Sequence, residues 1–170
     1  MQRYKQSLGL SGGTPIGDPK DPRTCIIKSL ALLPPLTRLK EVNGRPDITI
    51  DLTQPGSVDT LSKHPFTIKE GTTYRMKVVF TVNHEVLSGL KYIQSIKRKG
   101  IRVSKDQEMI GSFAPNTTDN PQYIKRFAEE EAPSGMLARG HYDASVRFAD
   151  DDDRTHLEFN WSFDIAKDWK

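Results

Sequence analysis

The segment 157–165 has the most regular alternation of apolar and polar residues in the chain. Every second residue is apolar and the residues between are polar, which is the period of a strand with one buried and one solvated face. The apolar members are Leu157, Phe159, Trp161, Phe163 and Ile165. Residues 141–148 repeat the pattern less strictly, and the acidic run 150–153 separates the two segments. Together they predict a long hairpin with a negatively charged tip.

A second alternating segment covers residues 74–82, with Tyr74, Met76, Val78, Phe80 and Val82 on its apolar face. Shorter apolar segments lie between Gly- and Pro-containing turns, including 48–52, 66–68, 101–103, 109–113 and 123–127. About seven to nine short strands with frequent turn signals, and no long amphipathic helix, predict an all-β antiparallel sandwich.

The first 23 residues differ from the rest in composition. Residues 1–8 predict a short helical piece, and the following SGGTPIGDPKDP has little to bury. The sequence therefore predicts a flexible arm over residues 1–23 and one folded domain over residues 24–170.

Composition limits the class of protein. Apolar residues make up 35% of the chain and charged residues 28%, and no apolar run approaches the ~18 residues of a membrane span. The N-terminal MQRYKQSLGL lacks the apolar region of a secretory signal. A single cysteine, Cys25, excludes an internal disulfide. These features predict a cytoplasmic protein.

The charges are distributed unevenly along the chain. Between Lys63 and Lys105 there are ten Lys and Arg residues against two acids, whereas between Glu129 and Asp153 there are eight acids against two Arg residues. Such a chain folds into a body with opposed charged poles unless these segments neutralise each other, and each pole can attract a charged partner.

Signals for catalysis, metals and nucleic acid are weak. The histidines His64, His84, His141 and His156 have no metal-ligand spacing, and no phosphate-binding or nucleophile motif occurs. The run DDDDR lacks the Gly and the distal Glu of a calcium loop. The basic segment LKYIQSIKRKG fits solvated strand faces better than a nucleic-acid surface. We predict no enzyme activity, no cofactor, no metal and no nucleic-acid partner.

The apolar strand faces leave two alternatives open. Alternation alone favours a filled core. A sandwich whose sheets part at one end instead has an apolar slot that suits a long hydrocarbon chain.

Several segments resemble, in order, the Rho GDP-dissociation inhibitor family. They include KEGTTYRMKVVFTVNHEVLSGLKYIQ, GSFAP, EEAPSGMLARG, FADDDDRTHLEFNW and KDW, and the resemblance runs from about Tyr4 to Trp169. It implies an immunoglobulin-like sandwich with a short flexible or helical N-terminal arm. It also implies a non-enzymatic monomer that takes up the geranylgeranyl group of GDP-bound Rho-family GTPases, extracts them from membranes without stable insertion and slows GDP release.

The resemblance also implies site residues. The lipid slot is expected to contain Leu52, Phe80, Leu137, Ala144, Phe159, Trp161 and Phe163, with Ile101 or Val103 nearby. Leu137 is out of phase with Ala144, which predicts a bulge near Gly140. The GTPase is expected to contact Tyr4, Glu129, Glu130, Glu131, Asp151 and Asp152.

Two departures from the family modify these expectations. Ala144 stands where a larger aliphatic residue is usual, which leaves two alternatives open, a deeper slot or a looser one. The chain starts near the last helix of the family's long acidic arm, so lipid capture is expected to survive while the clamp on the nucleotide is weakened. The alternatives are a carrier of another lipidated cargo and an interaction domain that binds no lipid.

Overall fold

The computed structural model describes residues 13–33 and 48–168, and these residues form nine strands and no helix. The strands are β1 (Cys25–Leu33), β2 (Ile48–Asp51), β3 (Phe66–Lys69), β4 (Thr73–Val82), β5 (Leu87–Arg98), β6 (Ile101–Phe113), β7 (Tyr123–Glu131), β8 (Gly140–Ala149) and β9 (Thr155–Ala166). The predicted all-β sandwich is confirmed. The segments predicted as separate strands at 101–103 and 109–113 belong to one strand, β6.

The strands form two sheets, with the orders β2-β1-β4-β7 and β3-β9-β8-β5-β6. All neighbouring strands are antiparallel except β3 and β9, which are parallel. The antiparallel prediction therefore needs one correction. The chain leaves β2 in the first sheet and enters β3 at the edge of the second, and such a crossing between sheets permits a parallel pairing that a tight hairpin does not.

The alternating apolar residues are buried in the two strands with the clearest sequence pattern, β4 and β9. Met76, Val78, Phe80 and Val82 of β4 are buried against the opposite sheet, as are Phe159, Trp161, Phe163 and Ile165 of β9. Their polar neighbours lie on the outer faces, which is the arrangement expected when one face of each sheet packs on the core.

The core is most densely packed toward the end of the sandwich that contains the β4–β5 and β8–β9 turns. Phe80 packs on Phe113 and Tyr123, with ring centroids 5.0 and 5.6 Å away. Tyr92 packs on Phe127 and Phe148 at 5.4 and 5.3 Å. Side chains fill the space between the sheets in this half of the molecule.

Two hairpin tips differ in charge and in geometry. Lys99 and Gly100 join β5 to β6 with φ angles of 51° and 79°, the positive values that a two-residue type I′ turn requires. Residues 150–154 join β8 to β9, with Asp153 also at positive φ. The register of β8 with β9 is continuous from Gly140 to Phe148. The bulge predicted near Gly140 is therefore wrong, and the irregularity lies between Phe148 and Ala149.

The described part of the N-terminal segment runs along the sandwich. Thr118 donates a backbone hydrogen bond to Thr14 at 3.0 Å, and Pro15 forms a bridge with Thr117. The division into an arm over 1–23 and a domain over 24–170 stays a prediction, and the helical piece predicted over residues 1–8 lies outside the described residues. Within the described ranges, no helix of the length and apolarity needed to cross a membrane occurs.

Candidate functional site

The two sheets separate at the end of the sandwich where β7 ends and β8 begins. A cavity of about 210 Å³, called here the mouth cavity, lies between them. Both sheets contribute to its apolar wall, which includes Ile68, Tyr74, Ile96, Tyr142, Phe163 and Ile165. The rim includes Val103, Ser104 and Pro133. The first sheet loses β7 at Glu131, and the next two residues, Ala132 and Pro133, line the cavity with small side chains.

Two smaller cavities continue from the mouth cavity toward the interior. One of about 20 Å³ shares Tyr74 and Phe163 with the mouth cavity. The next, of about 10 Å³, shares Met76 and Trp161 with the second and reaches Ile48 of β2. The three cavities therefore adjoin one another in series between the sheets, and side chains almost close the second and third.

A row of aromatic rings separates the inner cavities from the mouth cavity. Tyr142 stacks on Phe163 with centroids 5.2 Å apart and planes at 6°. Trp161 contacts Phe163 at 5.1 Å and Phe66 at 6.3 Å. The indole Nε1 of Trp161 is buried and has no hydrogen-bond partner among the described residues. Within those residues, the contacts of this ring are with other apolar side chains.

Few polar groups reach these cavities. The hydroxyl of Tyr74 donates to a Glu130 carboxylate oxygen at 3.1 Å, and the hydroxyl of Tyr92 donates to the Gln94 side chain at 2.5 Å. Burial, together with the negative charge of Glu130, raises the pKa of Tyr74. Both phenols therefore stay neutral near physiological pH, and the site is suited to an apolar ligand.

The structure brings three of the predicted slot residues together. Trp161 and Phe163 line the cavities. Ala144 is in register with Trp161 on one side and Ile96 on the other, so its small side chain lies between two cavity walls. Phe159 is buried on the same face of β9, two residues farther from the mouth, and does not line the three cavities.

The other three predicted slot residues do not line the three cavities. Phe80 is fully buried in the dense half of the core, beside Phe113 and Tyr123. Leu52 follows β2, and its backbone N–H donates to Lys28 of β1 at 2.9 Å. Leu137 is in the turn before β8 and is 90% exposed. It was expected to share a strand with Ala144, but β8 begins only at Gly140.

The predicted partner-binding acids form two separate groups. The acidic edge, Glu129, Glu130 and Glu131, is exposed at the end of β7 beside the mouth cavity. Arg75 pairs with Glu129 at 2.7 Å. Asp151 and Asp152 are exposed beyond the far end of β8, a strand that spans roughly 30 Å at about 3.3 Å per residue. The remaining predicted contact, Tyr4, lies outside the described residues.

A buried carboxylate shapes the turn that contains Asp151 and Asp152. The side chain of Asp150 is fully buried and accepts hydrogen bonds from the backbone N–H groups of Asp152 and Arg154, at 2.9 and 3.1 Å. Arg154 Nε and His156 Nε2 contact its second oxygen at 2.9 and 2.8 Å. Burial alone would raise the pKa of Asp150, but the hydrogen bonds from His156 and Arg154 outweigh it and lower the pKa.

A close backbone approach fixes this turn against β5. Gly89 has a φ of +64°, and a Cβ there would lie 2.2 Å from the carboxylate of Asp151. The N–H of Asp151 also donates to the Ser88 carbonyl at 3.0 Å. The backbone at Asp151 is therefore held against β5.

Sequence reasoning missed several residues at the site. Ile68 and Tyr74 were on predicted strands but were not assigned to the slot, although their alternation was a usable signal. No local signal could identify Asp150, because its role depends on Arg154 and His156 folding back on it. Two of the histidines that lack metal-ligand spacing, His141 and His156, lie at opposite ends of the β8–β9 hairpin. Among the described residues, no group of three potential metal ligands occurs.

Comparisons with known proteins identify relatives of this chain over its whole length. The family model described as RHO protein GDP dissociation inhibitor matches residues 1–168. A Rho GDP-dissociation inhibitor of Schizosaccharomyces pombe is 44% identical over 170 residues, which cover 100% of this chain and 77% of the relative. A Rho GDP-dissociation inhibitor of Saccharomyces cerevisiae is 42% identical over 169 residues, which cover 98% of this chain and 80% of the relative. Rho GDP-dissociation inhibitor 1 of Rattus norvegicus is 37% identical over 170 residues, which cover 100% of this chain and 76% of the relative.

Proposed function

This chain belongs to the Rho GDP-dissociation inhibitor family, and we propose that it binds GDP-bound, prenylated Rho-family GTPases and slows their release of GDP. In this proposal the geranylgeranyl group of the GTPase enters the mouth cavity, while the two acidic groups contact its protein part. The protein acts as a monomer in the cytoplasm, removes GTPases from membranes and catalyses no reaction.

The observation that supports the proposal is the mouth cavity itself. An apolar opening of about 210 Å³ at one end of an otherwise filled sandwich has no role in stability, because filling it with side chains would bury more apolar surface. A cavity of ~150 Å³ is enough to bind a benzene ring. The mouth cavity therefore has room for the first part of an isoprenoid chain.

The rest of the chain requires the inner cavities to widen. Their volumes of about 20 and 10 Å³ are too small for hydrocarbon, and Phe163 and Trp161 separate them from the mouth. We expect these two rings to move when lipid binds, because within the described residues they are held by ring packing and not by side-chain hydrogen bonds.

Burial of the lipid in the protein is not sufficient by itself to remove a GTPase from a membrane. At ~0.8 kcal/mol per buried CH₂, about a dozen buried carbons contribute on the order of 10 kcal/mol relative to water. The membrane stabilises the same chain by a similar amount. Contacts with the protein part of the GTPase must therefore decide the exchange, and the two acidic groups are suited to this.

The separation of the two acidic groups supports contacts with different parts of the same GTPase. The acidic edge lies beside the mouth cavity, so it would meet the basic segment that precedes a lipidated C-terminus. Asp151 and Asp152, beyond the far end of β8, would meet the body of the GTPase near its nucleotide. High salt should weaken both contacts and leave the burial of the lipid largely unchanged.

The main experiment measures release of a fluorescent GDP analogue from prenylated and unprenylated Rho-family GTPases. We expect this protein to slow release and to act at lower concentrations on the prenylated form. Equal effects on both forms would favour an interaction domain that binds no lipid. No effect on either form would contradict the proposal.

A second experiment tests the cavity directly with a fluorescent geranylgeranyl peptide. Ser104→Phe adds a ring to the mouth cavity and should reduce uptake at least tenfold. Gln107→Phe adds the same ring to an exposed position of β6 and should leave uptake unchanged. Trp161→Ala should also reduce uptake, because the lipid chain loses the ring that it packs against in the inner cavities. Wild-type uptake by Ser104→Phe would exclude the mouth cavity as the lipid site.

The same assay distinguishes other lipidated cargo. Farnesyl and myristoyl peptides should bind more weakly than the geranylgeranyl peptide. A preference for myristoyl would indicate a carrier of a different cargo on the same fold.

A further inference from the structure

The tip of the β5–β6 hairpin has a concentration of positive charge that the proposed function does not use. Lys97, Lys99, Arg102 and Lys105, called here the basic tip, are all exposed. None of them forms an ion pair in the part of the chain that the structure describes. The type I′ turn at Lys99 and Gly100 fixes the direction in which these side chains project.

Apolar side chains surround the same end of the molecule. The four most exposed large apolar residues of the described chain are Leu137 at 90%, Met136 at 82%, Ile101 at 71% and Val103 at 56%. Val103 also lines the mouth cavity. Exposed apolar residues are individually unremarkable in soluble proteins, but a group with the highest exposures at one opening indicates an interaction surface.

Arg98 joins the two loops that hold these residues. Its guanidinium donates to the backbone carbonyls of Leu137 and of Arg139, the latter at 2.6 Å. It also contacts the Tyr142 hydroxyl at 3.2 Å and lies 5.1 Å from the centroid of the Tyr142 ring. The β5–β6 tip and the 136–139 turn therefore form one continuous surface at the rim of the mouth cavity.

Nearby acids reduce only part of the positive charge. Asp143 is in register with Lys97 on the neighbouring strand, and Asp106 follows Lys105. The most projecting cations, Lys99 and Arg102, have no acid at an adjacent strand position. The acidic edge of β7 belongs to the opposite sheet, so the mouth has one acidic side and one basic side.

We propose that the basic tip and the four exposed apolar residues dock on the surface of an anionic lipid bilayer, with the mouth cavity facing the membrane. Cations that contact anionic headgroups beside apolar side chains that enter the boundary of the acyl region are the two components of interfacial binding. In this orientation a lipid chain passes from the bilayer into the cavity without crossing water, while the acidic edge stays available to the basic segment of a cargo.

The test uses the full chain alone, without a GTPase, and phosphatidylcholine vesicles with or without phosphatidylserine. We expect flotation with the vesicles that contain phosphatidylserine and its loss at high salt. Lys99→Gln/Arg102→Gln should weaken partitioning about 30-fold, from the typical contribution of a cation near an anionic membrane. The matched pair Lys20→Gln/Lys63→Gln removes two exposed cations elsewhere and should change it less than twofold.

The apolar component is tested by Ile101→Ser/Met136→Ser, which should weaken vesicle binding but not the binding of soluble inositol hexakisphosphate. Melting temperatures of all variants check that they fold. The proposal fails if wild type does not float with phosphatidylserine vesicles, or if the two cation pairs behave alike. If wild type binds soluble inositol hexakisphosphate as tightly as it binds the vesicles, the surface binds a soluble polyanion. If Lys99→Gln/Arg102→Gln abolishes self-association of the protein, the surface binds a second copy of the chain.

Vesicle docking and the proposed function can fail separately. Docking is measured without cargo, whereas uptake of the geranylgeranyl peptide is measured without vesicles. Loss of peptide uptake with intact flotation would contradict only the lipid cavity, and the reverse result would contradict only the docking surface.

Discussion

Substitution of Asp150 by Asn should destabilise the whole domain. The carboxylate of Asp150 is fully buried and accepts from two backbone N–H groups and from the side chains of Arg154 and His156. An Asn side chain can still accept from the backbone groups through its oxygen. Its amide then faces the guanidinium of Arg154, so this contact becomes repulsive, and the negative charge that both Arg154 and His156 contact is lost.

The expected loss is about 3 kcal/mol of unfolding free energy. Breaking a buried pair typically costs ~3 to 5 kcal/mol. We take the lower value because the Arg154 side chain is 40% exposed and keeps its 2.7 Å contact with Glu85. For a chain of this size the loss corresponds to a melting temperature about 6 to 12 °C lower. Urea unfolding at neutral pH measures the change.

Asp152→Asn is the matched control, because it makes the same chemical change in the same turn at a residue whose side chain is 75% exposed. It should alter stability by at most about 0.5 kcal/mol. Because the folded pKa of Asp150 is lowered, the contribution of its charge is present above the unfolded value of ~3.9 and disappears as pH falls through the folded pKa. Equal urea midpoints for both variants would refute this reasoning.

Three other outcomes follow from contacts elsewhere. Hydrogen bonding to Asp164 raises the pKa of His141, so His141→Gln should be destabilising at about pH 5.5 and neutral at about pH 9, where the pair is lost; equal effects at both pH values would exclude the charged pair. Burial raises the pKa of Cys25 to about 12, so iodoacetamide should modify it only after unfolding, as followed by mass spectrometry. Gly89→Ala should cost at least about 1 kcal/mol in urea unfolding and displace Asp151; an unchanged stability would show that the turn adapts.

Trp161 and Leu137 show which side-chain positions could be predicted from the sequence and which could not. Trp161 is on a strand whose strict alternation fixes the direction of each side chain, so its inward position was predictable. Leu137 was assigned by carrying a family position onto an assumed strand. Strand β8 starts three residues later, and a side chain in a turn is not constrained by the period of two.

Phe80 shows that the direction of a side chain can be predicted when its position relative to the cavities cannot. Alternation correctly predicted that it points between the sheets, but alternation does not report the position along the strand at which the sheets part. That position depends on where β7 ends and on the small residues that follow it. The filled-core and open-slot alternatives are both present in this molecule, at opposite ends.

The sequence by itself determined the strand class, the inward and outward faces of β4 and β9, the acidic hairpin tip and the family. These features depend on local periodicity and on contiguous motifs. Only the tertiary structure decided the parallel pairing of β3 with β9, the series of cavities, the Asp150 network and the meeting of the basic tip with the 136–139 turn. Each of these depends on contacts between residues far apart in the chain, whose relative positions are set by packing of the two sheets.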